Sequence, residues 1–334
     1  MAEANRQIVL DRLPAGDKLG PQHFRLTEGP RPSAGEGEAL LRTRYISLDA
    51  ANRAWMQGAT YRSALESGQV MAGGALAEVL ETHVPHLKPG DLVFADTGWQ
   101  DYAVLPAKRL RKLPAMEPVT HLMSVYGIAG LTAYFGLLEC GRPKAGDTVV
   151  ISAAAGAVGS IVGQIARIKG CKVVGVAGGA EKGRWLVEEL GFDVALDYKA
   201  GGLRQQMKEA APEGIDVYFD NTGGEIFETC LFAMKAFGRI ACCGAVSQYD
   251  GAAPPHGPRG VPGLIVTKRL TLRGFVVMDF DDQREAALNE LQAWVASGQL
   301  KVQEDIIEGL ENTPAALIGL LNGENRGKRM VKVR

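Results

Sequence analysis

The chain has 334 residues, 46% apolar and 22% charged, with 37 Lys and Arg against 38 Asp and Glu for a formal net charge of −1. This length suits about two domains with sizeable cores, and 42 Gly and 16 Pro spread among apolar residues are too few for low complexity, so wholesale disorder is excluded. Balanced charge without a basic block or like-charge tail provides no field for phosphate backbones or anionic lipid, and no nucleic-acid or membrane partner is expected.

The N-terminus mixes charged and apolar residues without a secretory h-region. From 7 to 107, short alternating runs separated by Pro-Gly and Gly-Asp pairs, such as Pro89-Gly90-Asp91, predict a mostly β unit. After about Pro118 the rhythm changes. Strand-like runs at 148–152, 172–177, 215–220 and 239–243 alternate with helical patterns at 158–168, 181–190, 203–211 and 225–237, predicting a doubly wound parallel sheet. The uncharged spans 119–138 and 148–166 are punctuated by Gly, Ser, Thr or His and suit buried elements rather than membrane spans. A strand at 270–277, a helix at 282–297 and a basic strand at 328–334 follow, the tail being expected to pack back on the N-terminal unit. Five cysteines, none in a C-x-x-C pair, fit a reducing cytoplasmic setting.

The strand Thr148-Val149-Val150-Ile151-Ser152 runs into Ala153-Ala154-Ala155-Gly156-Ala157-Val158-Gly159-Ser160 and then into a helix whose Val158, Ile161, Val162 and Ile165 share one face. This places an A-x-G-x-x-G turn in the strand–turn–helix context of a dinucleotide site. There Gly156 lets backbone approach a pyrophosphate, Gly159 lets helix and strand pack closely, and the helix N-terminus presents N–H groups to the phosphates. The following strand ends in Val176-Ala177-Gly178-Gly179 without a carboxylate to hold a ribose 2′-OH, and Lys182 follows one turn later. NADPH is therefore expected over NADH, with Lys182 on the extra phosphate and Glu181 facing solvent. His23, His83, His86, His121 and His256 are scattered and no Cys precedes Cys140, so no zinc site is expected; no G-x-S-x-G elbow supports a hydrolase.

Four stretches, Gly130 to Leu138, the turn at 153–160, Val217 to Gly224 and Cys243 to Tyr249, resemble the zinc-free medium-chain dehydrogenase/reductase family. Within it they are most similar to the prostaglandin, alkenal and curcumin reductase group. The resemblance spans nearly the whole chain, including 306–312 and 327–333. It implies a GroES-like, mostly β substrate domain at 1–122 and 271–334 around a Rossmann NADP-binding domain at 123–270. It also implies a homodimer and NADPH-dependent reduction of the carbon–carbon double bond of α,β-unsaturated aldehydes or ketones. Quinone reduction or NADPH binding without catalysis are the alternatives.

Carried over by residue, the resemblance assigns Lys182 and Tyr198 to the 2′-phosphate, and Gly156, Ala157, Val158 and Gly159 to the pyrophosphate. It assigns Asn221 to the inner face of the cofactor. Cys243, Gly244, Ala245, Val246, Ser247, Gln248, Tyr249, Phe275, Val276, Val277 and Asn325 are assigned to the nicotinamide side. Leu48-Asp49-Ala50-Ala51-Asn52-Arg53 departs from the family form, which carries Pro and Tyr after Leu-Asp. Hydride delivered to the β-carbon of an enone leaves charge on the carbonyl oxygen, so a neutral donor is required without a metal. Tyr249, expected beside the nicotinamide ribose, and Tyr61, which matches a pocket tyrosine of the curcumin reductase branch, are the candidate catalytic residues.

Overall fold

A computed structural model describes residues 4–60, 62–251 and 256–333. The N-terminal part forms β1 (Ala4–Leu10), β2 (Phe24–Pro30), β3 (Glu38–Ser47), the short helix α1 (Ala51–Ala54), β4 (Gly74–Thr82), β5 (Leu92–Asp96), β6 (Tyr102–Pro106) and β7 (Arg111–Lys112). β1 and β2 make an antiparallel pair. β3 is the spine of the larger sheet: β4 follows one edge of it, while β6 pairs its first half on the other edge. The second half of that edge is completed from the far end of the chain, where β15 (Lys328–Lys332) pairs antiparallel with it, Met330 opposite Ser47, and β14 (Glu304–Glu308) adds in parallel. The tail thus returns to the N-terminal sheet, as its basic strand pattern predicts.

Between these parts lies a six-stranded, all-parallel sheet in the order β10-β9-β8-β11-β12-β13. Its members are β8 (Thr148–Ile151), β9 (Lys172–Ala177), β10 (Val194–Asp197), β11 (Ile215–Asp220), β12 (Met234–Cys242) and β13 (Thr271–Gly274). Val/Ile-rich runs form such strands because helices cover both faces. Val149 and Ile151 face one layer with Ile161, Val162 and Ile165 of α3 (Gly159–Ile168), whereas Val150 faces the other with Leu203, Met207, Phe227 and Leu231. α2 (Ile128–Phe135) lies on the first face; α4 (Ala180–Glu188) links β9 to β10, α5 (Leu203–Ala210) links β10 to β11, and α6 (Gly224–Ala233) links β11 to β12. α7 (Val261–Lys268), α8 (Arg284–Ala296) and α9 (Thr313–Leu321) complete the described helices. None of them is long and apolar enough to cross a membrane.

Three local differences from the sequence reading have plain causes. β10 is a four-residue edge strand bounded by Asp193 and Asp197, too short and too charged at its ends to register as a strand. The helix expected over 225–237 stops at Ala233, because Met234 is extended and opens β12. The strand expected over 270–277 ends at Gly274, and Val277–Gln283 coils into a short 3-10 segment.

Candidate active site

In the sheet order β8 and β11 are neighbours whose connections run to opposite sides, and this reversal opens a crevice at the carboxyl ends of the strands. Four loops leave those ends. After β8, Ala153 takes a φ of 47°, and Ala154 N–H donates to the Val176 carbonyl at 3.0 Å, folding the chain into a tight turn before α3. A methyl on Gly159 would lie 2.4 Å from the Ala153 carbonyl oxygen, so only glycine lets the helix start this close to the turn. At Gly156 a methyl would meet only that oxygen, at 3.2 Å; the rest of its surroundings is open and faces the cavity. Gly327 N–H donates to the Ala155 carbonyl at 2.8 Å, stitching the turn to the entry of β15.

After β9, Gly179 adopts a φ of 93°, and its N–H donates to Asp197 Oδ1 at 2.9 Å. Lys182, in the first turn of α4, is half-buried and donates to the carbonyls of Gly323 and Asn325 at 2.5 and 2.6 Å. Burial first, then the cations Lys199, Arg329 and Arg326, push its pKa below the ordinary lysine value. An anion would relieve this crowding of positive charge. Glu181 turns to solvent with its side chain 76% exposed and pairs with Arg326 at 3.5 Å. Tyr198 lies at the same end of the cavity.

The turn after β11 is organised by the buried carboxylate of Asp220. It accepts from Tyr218 Oη at 2.6 Å, Ser152 Oγ at 3.1 Å and the N–H groups of Thr222 and Gly223 at 3.0 Å each. This geometry presents Asn221, whose Nδ2 donates to the Ser152 carbonyl at 2.7 Å. After β12, Val246 N–H donates to the Asn221 carbonyl and Ser247 Oγ to the Thr222 carbonyl, so the two turns are laced together. The Tyr249 hydroxyl accepts from Ala245 N–H at 3.1 Å, which leaves its own proton available. Burial pushes the neighbouring Cys243 thiol up to about 12, with Asp220, Cys242 and Cys140 adding to the shift.

These loops enclose a cavity of about 540 Å³, within the size range of small-molecule sites. The structure brings Gly156, Ala157, Val158, Gly159, Lys182, Tyr198, Asn221, Cys243, Gly244, Val246, Ser247, Tyr249 and Asn325 to its wall. Ala245 and Gln248 sit on the same loop without lining it. Phe275 packs instead into the core against Phe219 and Phe280, Val277 lies against the same cluster, and the 38% exposed Val276 is off the cavity; none of the three lines it. Tyr61 lies outside the described residues.

The opposite wall is formed by Leu48 to Ala51 with Leu320 and Leu321. Leu48 to Ala51 belongs to the stretch that departs from the family form after Leu-Asp, and its Asp49 pairs with Lys328. Among the described residues no three His, Cys, Asp or Glu side chains converge to hold a metal ion.

Residues 6–113 match the family described as N-terminal domain of oxidoreductase, and 157–293 match that described as zinc-binding dehydrogenase; the cluster that the second description would require is not assembled among the described residues. The chain is 42% identical over 337 residues to the NADPH-dependent curcumin reductase of Escherichia coli, covering 99% of this chain and 97% of that protein. It is 45% identical over 315 residues to prostaglandin reductase 1 of Bos taurus, covering 92% and 93%. The structure of CurA from Vibrio vulnificus in complex with NADPH superposes with a TM-score of 0.94 at 38% identity, covering 98% of this chain and 99% of that one. The chain belongs to the zinc-free medium-chain dehydrogenase/reductase family, in the group of the curcumin, prostaglandin and alkenal reductases.

Proposed function

We propose that the protein reduces the carbon–carbon double bond of α,β-unsaturated aldehydes or ketones with NADPH. The observation that carries this reading is that the glycine turn at Gly156, the cation Lys182 and the hydroxyl of Tyr249 share one cavity. The residues fit the cofactor: Gly156 leaves a cradle that a methyl would narrow, and Lys182 among Lys199, Arg326 and Arg329 suits a phosphate. When bound, NADPH supplies the hydride for the β-carbon.

The chain's own residues do the rest. Lys182 and Tyr198 hold the 2′-phosphate, Gly156 to Gly159 the pyrophosphate, and Asn221 the inner face of the cofactor. The apolar wall of Leu48, Ala50 and Ala51 excludes water from the reacting carbons. Tyr249 donates its proton toward the charge that develops on the substrate, with Tyr61 the second candidate for that role. A division into a substrate domain (1–122, 271–334) and a cofactor domain (123–270), and a cytoplasmic homodimer, complete the reading; five cysteines without a disulfide support the compartment.

The test is NADPH oxidation by purified protein against paired panels of enones and quinones, with NADH alongside. Saturable enone turnover with NADPH is expected. Turnover of quinones alone, or NADPH binding without turnover, would contradict the proposal.

A further inference from the structure

Arg53 is 1% exposed, yet it lies in α1, beside the cavity wall of Leu48 to Ala51. A guanidinium at that depth is tolerated only when its donors are met. Arg53 Nε donates to Asp250 Oδ1 at 2.8 Å and Nη2 to the Asp17 carbonyl at 3.0 Å. Asp250 Oδ1 also accepts from Leu19 N–H at 2.8 Å. Asp250 directly follows Tyr249, on the loop that leaves β12 of the parallel sheet, whereas Arg53, Asp17 and Leu19 belong to the N-terminal part. One carboxylate therefore fastens the tyrosine's loop across the crevice. From the sheet side, Val246, Ser247 and Tyr249 are held by backbone bonds to Asn221, Thr222 and Val246 at 3.1 to 3.2 Å, by Ser247 Oγ donating to the Thr222 carbonyl at 2.6 Å and by Ala245 N–H donating to the Tyr249 hydroxyl; none of these reaches the N-terminal part.

We propose that Arg53 and Asp250 are positioning residues for Tyr249: the ion pair between the buried guanidinium and the partly buried carboxylate fixes the 246–250 loop against the N-terminal part and thereby holds the tyrosine hydroxyl at the cavity wall. The catalytic half of this statement rests on the reading of Tyr249 given above. The placement does not, since it follows from the pair itself. Arg53 thus acquires a role that the motif around it does not announce, because its partner lies 197 positions away.

The experiment compares wild-type protein with Asp250→Asn, which keeps the shape and removes the charge, and with Arg53→Met, which replaces the stem and removes the cation. Amide hydrogen exchange is read over 244–251, and kcat is measured on benzylideneacetone with NADPH affinity followed by its fluorescence. In both variants the amides of 246–250 are expected to exchange at least about tenfold faster while those of β8 and β11 stay unchanged. With Asp250→Asn, kcat falls about tenfold with NADPH affinity within about twofold of wild type, and combining it with Tyr249→Phe costs no more than Tyr249→Phe alone.

If Arg53→Met does not fold, Asp250→Asn carries the comparison alone. Unchanged exchange over 246–250 overturns the placement, and multiplicative losses in the double variant overturn action through Tyr249. A Tyr249→Phe variant with full kcat instead removes the catalytic reading of Tyr249, and the exchange comparison still decides the placement.

Discussion

Lys328 Nζ lies 2.5 Å from Asp49 Oδ1, joining the first residue of the last described strand to the segment that walls the cavity. The same ammonium, 3% exposed, donates to the Leu48 carbonyl at 2.9 Å, so the tail of the chain props the substrate side of the site.

Asp49 makes this tie pH-dependent. Burial pushes its carboxyl up, but the Lys328 charge and hydrogen bond, with that of Ser47, outweigh burial and hold it below the usual carboxylate range. Such a group contributes stability that is present above its unfolded value, near ~3.9, and lost as pH falls through the lowered folded value. Asp49→Asn is expected to lose about 1 kcal/mol at neutral pH: the ammonium it meets is buried, but the carboxylate side chain is 43% exposed and solvent screens the pair. Urea unfolding at neutral and acidic pH checks this: the gap from wild type narrows as the acid is approached.

Lys182 is the residue on which cofactor choice rests. Lys182→Ala is expected to raise KM for NADPH at least about tenfold, one charge-assisted hydrogen bond, while leaving the weaker use of NADH within about twofold. Steady-state kinetics with both cofactors decide it, and equal losses for the two would place Lys182 away from the phosphate.

Gly163, in α3, faces the Phe192 ring; a methyl there would lie 1.9 Å from its Cζ. Gly163→Ala therefore overpacks the helix–sheet contact and is expected to cost about 2 kcal/mol. Adding Phe192→Leu should recover part of that loss, which thermal unfolding of the single and double variants would show.

Cys243 lines a cavity proposed to take electrophilic enones. Its thiol, pushed up to about 12 chiefly by burial, stays protonated at neutral pH, and the thiolate is the reactive form. Peptide mapping after iodoacetamide treatment is expected to find Cys243 labelled at least about tenfold more slowly in the folded than in the unfolded protein.

Much of the cofactor side was legible in the sequence because its signals are local. Gly156 and Gly159 stand between a strand and an amphipathic helix, and the Gly178-Gly179 tip followed by Lys182 lies one βα unit later. The substrate side was not legible in the same way. Its wall comes from Leu48, Ala50 and Ala51 with Asp49 among them, and from Leu320 and Leu321, which only tertiary folding brings into one cavity with Tyr249. Pairs such as Lys328 with Asp49 and Arg53 with Asp250 are separated by hundreds of residues, and no periodicity links them. α7 and α9 are not among the elements expected from the sequence; each carries Pro in its first turn, Pro262 and Pro314, where the missing N–H has no helical partner.

The measurement that tests the central claim most directly is the fate of deuterium from NADPH labelled at its transferable hydrogen, with benzylideneacetone as substrate and the product examined by NMR. Deuterium on the β-carbon of the saturated ketone is predicted, with the α-carbon taking its hydrogen from solvent or from a side chain in exchange with it. Deuterium on the carbonyl carbon of an alcohol would contradict the account.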